Sequence, residues 1–171
     1  MSTLAVDTIQ NSAGTAAASI DGSGVITFNS TPVNAGGGKI LQVKYVQRTD
    51  ALAYSTTYVE ALSQDITPSS TSSLILIQAA VSNWHGAVGQ HAAKLVKNGN
   101  LLNYEAGDFY HNVGTGVSGN IHIQYVDPAQ TTSAINYKIF VKAESGSGNL
   151  NKDYNGATNG VTSLVMMEIG V

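Results

Sequence analysis

The sequence predicts an all-β protein: an antiparallel, jelly-roll-like sandwich head preceded by an extended N-terminal arm. Three observations predict it. Segment after segment alternates apolar and polar residues at period two, and no stretch carries a helix-length period. Charged residues make up only 11% of the chain, against a usual ~25%, and Gly, Ser, Thr and Asn replace them. The character of the chain also changes abruptly at Gly36-Gly37-Gly38. Before these glycines the chain is polar and built of small residues. After them every substantial apolar run reads as a strand.

Residues 1–38 are expected to form a docking arm. Leu4, Val6, Ile9, Ile20, Val25, Ile26 and Phe28 are the apolar side chains with which it would attach to a partner surface. Asn11 to Ser19 is Ala, Ser, Thr and Gly; its alanines permit a helical turn, but no apolar stripe would hold one. Asp21-Gly22-Ser23-Gly24 is turn chemistry, and Gly24 to Phe28 reads as a short strand. Pro32 ends it.

Residues 39–171 are expected to form the head. Leu41, Val43 and Tyr45 alternate with Gln42 and Lys44, the pattern of a half-buried strand. The spacing of Ala53 to Ile66 suits a strand broken by a bulge or a helical turn, with the strand favoured, and Thr67 to Ser73 reads as a loop. Leu74 to Val81 is apolar on both faces and should be the central, most buried strand, with Trp84 and His85 just past its end. Asn98-Gly99 between two strands is the strongest short hairpin signal. Ile121 to Tyr125 and Ile135 to Val141 alternate. Glu144 to Gly160 is Gly- and Asn-rich and reads as a long exposed loop. Two long loops among about eight strands favour a jelly roll over a meander.

The last strand is apolar on both faces. Period two sends Leu164 and Met166 one way and Val165, Met167 and Ile169 the other. A monomeric sandwich normally solvates one face of each sheet, so the second apolar set implies a subunit contact. Leu164 and Met166 are assigned to that contact, and Val165, Met167 and Ile169 to the head's own core.

Composition removes several function classes. There is no cysteine, hence no disulfide framework, thiolate nucleophile or zinc knuckle. The net charge is −3 and the Lys and Arg residues are scattered, so nucleic-acid binding is not expected. No run approaches the ~18 apolar residues of a membrane-spanning helix, and residues 1–7 lack the features of a signal peptide. Gly114-Thr115-Gly116-Val117-Ser118-Gly119 matches the dinucleotide fingerprint, but a strand follows it where that fold needs a helix. His85, His91, His111 and His122 share no metal-ligand spacing, though a three-fold axis could gather one from each subunit. Glu60, Asp65, Glu105 and Asp108 could supply a glycosidase pair only by chance of folding. No catalytic residue, cofactor or metal is assigned.

Three pieces resemble phage virion proteins, particularly short fibre-like proteins of marine and cyanobacterial phages. Thr3-Leu4-Ala5-Val6-Asp7-Thr8-Ile9-Gln10-Asn11, with the small-residue tract and Phe28-Asn29-Ser30, is similar to their particle-attachment arm. Ile66 to Leu74 is similar to a recurring loop-to-strand lead-in, and Thr162 to Ile169 to the closing strand of their heads. The resemblance covers about a third of the chain. It implies a homotrimer and an antiparallel sandwich head, and it does not imply catalysis. It also implies docking on capsid, neck or tail proteins through the arm, and a virion assembled in the host bacterial cytoplasm. The long shaft of such fibres is missing between arm and head. A second reading makes the head a receptor-binding module for host surface polysaccharide. Its loops would act through Trp84, His85, Tyr110, His111 and Tyr154, since loops on a rigid sandwich commonly carry recognition.

Overall fold

A computed structural model describes residues 8–10, 16–28, 38–85, 90–102, 106–107, 117–153 and 155–170. The chain divides into two compact units, Met1–Gly37 and Gly38–Val171, with the divide inside the triple glycine.

The first unit contains a three-stranded antiparallel sheet, β1 (Thr8–Gln10), β2 (Ala16–Ile20) and β3 (Ile26–Phe28). The alanine tract is therefore a strand and not a helical turn. Backbone pairing on both sides holds it, Ala18 lying opposite Ile9 and Phe28, where a lone turn of helix would have had no apolar stripe to hold it. The β2–β3 turn is built on Asp21. Its carboxylate accepts hydrogen bonds from the Ser23 hydroxyl (2.6 Å) and from the amides of Ser23 and Val25 (both 2.9 Å). These bonds, the Ser23 hydroxyl foremost, hold the Asp21 carboxyl below its usual range. Ile9, Val25 and Ile26 remain more than half exposed.

The second unit is a sandwich of two antiparallel sheets. One places β4 (Lys39–Arg48), β14 (Thr162–Gly170), β7 (Leu74–His85) and β11 (Val117–Pro128) side by side in that order. The short strands β5 (Leu52–Tyr54) and β13 (Gly148–Leu150) extend it beside the end of β7. The other sheet runs β6 (Val59–Ile66), β12 (Ile135–Ala143), β8 (His91–Lys97), with β9 (Asn100–Leu101) and β10 (Ala106–Gly107) both on the far edge of β8. The first and last long strands are paired and successive long strands alternate between sheets, which is the jelly-roll path. The β8–β9 hairpin turns at Asn98-Gly99, with φ of +49° and +83°, as a type I′ turn requires.

The core lies between the sheets. Ile75, Ile77, Ala79 and Val81 of β7 and Ile135, Tyr137, Ile139 and Val141 of β12 are all buried in one cluster. Tyr137 donates its hydroxyl proton to Asp127, and the Lys97 ammonium pairs with the same carboxylate at 2.6 Å. That link ties β11 to β12 and β8 across one edge of the sandwich. Burial, and then the Asp127 carboxylate, push the Tyr137 phenol well above its usual range.

Three sequence expectations are corrected here. Ala53 to Ile66 is not one bulged strand: β5 and β6 belong to different sheets, and Ser55 to Tyr58 carry the chain between them. Leu74 to Val81 is the central strand as expected, but only its odd-numbered residues are buried against the opposing sheet, and Gln78 is exposed. Glu144 to Gly160 is not simply an exposed loop. It contributes β13, with Leu150 and Asn151 fully buried.

Asn151 organises that segment. It sits at φ +60° and donates both side-chain amide protons, to the carbonyls of Arg48 and Asp50, each at 2.9 Å. Its own carbonyl oxygen Oδ1 accepts from the Thr162 hydroxyl at 2.9 Å. Asn151→Ala should cost about 3 kcal/mol, since it orphans buried acceptors and strains the left-handed backbone. Asn151→Gly relieves the strain but not the lost bonds, so it should cost less. Urea denaturation of both variants checks this; an alanine variant as stable as the parent would contradict it.

Candidate functional site

The two outer faces of the sandwich differ in kind. On the β6–β12–β8 sheet the outward side chains include charges, most of them paired. Lys138 meets Glu60 at 2.7 Å and Lys142 meets Glu144 at 3.0 Å. Asn136 donates to Asp65 at 2.6 Å. This face is solvated in the ordinary way.

On the β4–β14–β7–β11 sheet the outward residues come in rows set by the strand register. Val43, Met167, Leu76 and Val126 form one row. Tyr45, Val165, Gln78 and Gln124 form the next, and Gln47, Ser163, Ala80 and His122 the third. Ile40, Ile169, Leu74 and Pro128 close one end. None of these residues is Asp, Glu, Lys or Arg. Val43 and Tyr45 are 55% and 54% exposed and Val126 is 49% exposed. Three of the polar groups on the face, Gln47, Gln78 and Gln124, are amides, which donate and accept alike. Gln78, Ala80, His122, Gln124, Ser163 and Val165 line a depression of about 240 Å³ in its middle. Four strands some 30 Å long at ~4.8 Å spacing give a face on the order of 600 Å² in plan.

The assignment of the last strand's faces is thereby reversed. Leu164 and Met166, expected at a subunit contact, are fully buried in the head's own core. Val165, Met167 and Ile169, expected in the core, lie on the outer face and are half-buried. The physical reason is that both parities of β14 are apolar, so alternation alone does not choose the inward one. Glu168 shares its face with Leu164 and Met166. The fold buries Glu168 at the end of the core and supplies its partners. Gln42 donates to it at 2.6 Å, and the Ser69 amide and hydroxyl each donate at 2.7 Å. The loop-to-strand lead-in and the closing strand are thus joined through one carboxylate.

Burial opposes the charge on Glu168, but the bonds from Gln42 and Ser69 outweigh it and lower its pKa to about 2. A carboxyl with a depressed folded pKa stabilises the fold above its unfolded pKa, and that stability drains away as pH falls toward the folded value. The head should therefore lose stability between about pH 4.5 and pH 2. Glu168→Gln should flatten that dependence in thermal melts taken across the window. An unchanged acid profile in the variant would refute the assignment.

The other expected residues are distributed as follows. Ile9, Ile20, Val25, Ile26 and Phe28 lie on the arm's sheet or its turn; Leu4 and Val6 lie outside the described residues. Trp84 and His85 belong to the end of β7, not to a loop beyond it. Trp84 is half-buried, and its Nε1 has no hydrogen-bond partner among the described residues. Tyr110, His111 and Tyr154 lie outside the described residues, as do Glu105 and Asp108. His91 is buried and its Nδ1 meets the Tyr54 hydroxyl at 2.5 Å, while His122 is on the outer face. Among the described residues no three His, Asp or Glu side chains gather as metal ligands.

The charge-free face went unnoticed in the sequence, although a signal was there. The lysines of β12 fall on its outward parity, whereas the outward parities of β7, β14 and β11 hold no charge at all.

Fold and face together define a class: a jelly-roll sandwich with one charged outer face and one uncharged, largely apolar one. No protein-family profile and no curated protein matches the chain. Among solved structures, the VP2 subviral particle of infectious bursal disease virus is similar at 16% identity and TM-score 0.39, over 76% of this chain and 39% of that one. A mutant VP2 of the same virus, in T=1 particles, is similar at 11% identity and TM-score 0.42, over 84% of this chain and 38% of that one. This chain spans well under half the length of those capsid chains, and the likeness concerns the fold alone.

Proposed function

We propose that this protein is a non-enzymatic structural component of a phage virion, a short trimeric fibre or capsid decoration. Its arm docks on the particle and its head associates through the β4–β14–β7–β11 face. The observation that carries the reading is that uncharged face. An apolar patch of this extent on a lone soluble domain is a liability unless something covers it. A second copy of the same chain is the occupant that fits. Nothing on the face repels the same face of another copy, and around a three-fold axis one edge of it meets the opposite edge of the next copy's, where its amides donate and accept alike. Its extent is of the same order as the ~800 Å² each partner contributes to a stable interface. Three copies, the virion setting and the docking partner rest on the sequence resemblance in the arm and the closing strand. The exposed Ile9, Val25 and Ile26 are the side chains available for docking.

Deleting residues 2–30 tests the arm. The truncated chain should keep a folded, self-associated head and fail to join particles. Normal incorporation of the truncated chain would overturn the docking role.

A further inference from the structure

We propose that the cleft on the opposite face, above Tyr58 and Phe140, binds a carboxylate-bearing sugar residue, a hexuronate, with its carboxylate on Lys94. The first ground is a charge left over. Strands β8 and β12 carry four lysines: Lys94, Lys97, Lys138 and Lys142. Lys97 pairs with Asp127, Lys138 with Glu60 and Lys142 with Glu144. Lys94 meets no carboxylate among the described residues. Its ammonium sits instead 3.8 Å from the centre of the Tyr58 ring and 5.7 Å from that of Phe140. The ring face holds one side of the ammonium and leaves donors free on the other. The Lys142 ammonium lies 5.0 Å from the same Tyr58 ring. Two cations on one ring repel each other, and a bound anion relieves that repulsion.

The second ground is shape. Tyr58, Lys94, Val96, Asn98, Asn136 and Phe140 line a cleft of about 310 Å³ with Gly99 and Lys138. That is the low end of the range for small-ligand sites. Lys94 lies directly across from Phe140, and Val96 from Lys138, so apolar and polar groups are interleaved along the cleft. A pyranose ring has an apolar C–H face and a rim of hydroxyls. Phe140 offers the surface for the first; for the second, Asn98 Nδ2 and Asn136 Oδ1 are the atoms left, since Asn98 Oδ1 accepts from the Asn136 backbone amide and Asn136 Nδ2 donates to Ser63 and Asp65. Lys94 then selects an acid over a neutral sugar.

The test titrates the full chain with a glucuronate oligosaccharide, a neutral glucose oligosaccharide of equal length, and a glutamate-rich peptide. Amide resonances around Lys94 and Phe140 report binding. The glucuronate should bind about tenfold more tightly than the neutral sugar, the effect of one charge-assisted contact. Added salt should narrow that gap. Lys94→Gln should reduce glucuronate binding to the neutral level, while Lys94→Arg keeps most of the preference. Melting of each variant shows that it is folded. Equal binding of both sugars would overturn the proposal, as would peptide binding as tight as glucuronate binding. So would no shift at about 10 mM glucuronate, or undiminished glucuronate binding by Lys94→Gln.

Discussion

Leu164→Asp should unfold the head. Leu164 is fully buried: it pairs with Val46 on one side and Ala79 on the other, inside the sandwich. Removing a buried leucine side chain alone costs roughly 2–5 kcal/mol. The substitution also places a carboxyl where no donor awaits it, and burying such a group unpaired adds several kcal/mol. The total rivals the ~5–15 kcal/mol that holds a domain folded. The variant should lose its cooperative melt and its dispersed amide spectrum. A Leu164→Asp protein that melts like the parent would mean that this face of β14 is not in the core.

Met167→Asp should do something different. Met167 lies on the outer face, between Val43 and Leu76. In a single chain an aspartate there is solvated and the sandwich keeps its packing. In an assembly closed over that face, each copy would bury an uncompensated charge, at about 3–5 kcal/mol per copy. The expected result is a folded head that sediments as one chain. Val165→Asp, one row away, should behave alike. A Met167→Asp protein that remains associated would show that the copies meet elsewhere. A variant that unfolds would show that the outer face is part of the fold's own support.

These two substitutions mark the boundary of what the sequence discloses. The strands of the head were legible because alternation is a local signal. Lys39–Arg48, Ile135–Ala143 and Thr162–Gly170 declare themselves residue by residue. So does the Asn98-Gly99 hairpin, since few residue pairs accept two positive φ angles. What alternation cannot say is which face turns inward when both are apolar. On β14 Glu168 lies in the set that turns inward, which alternation alone does not disclose. Its burial is compensated by Gln42 and Ser69, residues 126 and 99 positions away in the chain. No local reading finds such partners.

The same limit hid β13. Three residues, Gly148–Leu150, are too short to carry a period, and the buried role of Asn151 depends on carbonyls near position 50. The crossing of Ser55 to Tyr58 between sheets was equally hidden, because a change of sheet and a bulge both show as a polar break in an apolar pattern. The candidate face escaped for a related reason. It is assembled from one parity of each of four strands distant in sequence, and its character is a missing charge.

The most direct test of the account is the mass of the intact chain in solution, by sedimentation equilibrium at neutral pH and tens of micromolar. The uncharged face predicts association, and the resemblance to trimeric heads fixes the number. The account therefore predicts a single species of three times the 17.7 kDa of one chain. A monodisperse species of 17.7 kDa across that range would contradict it.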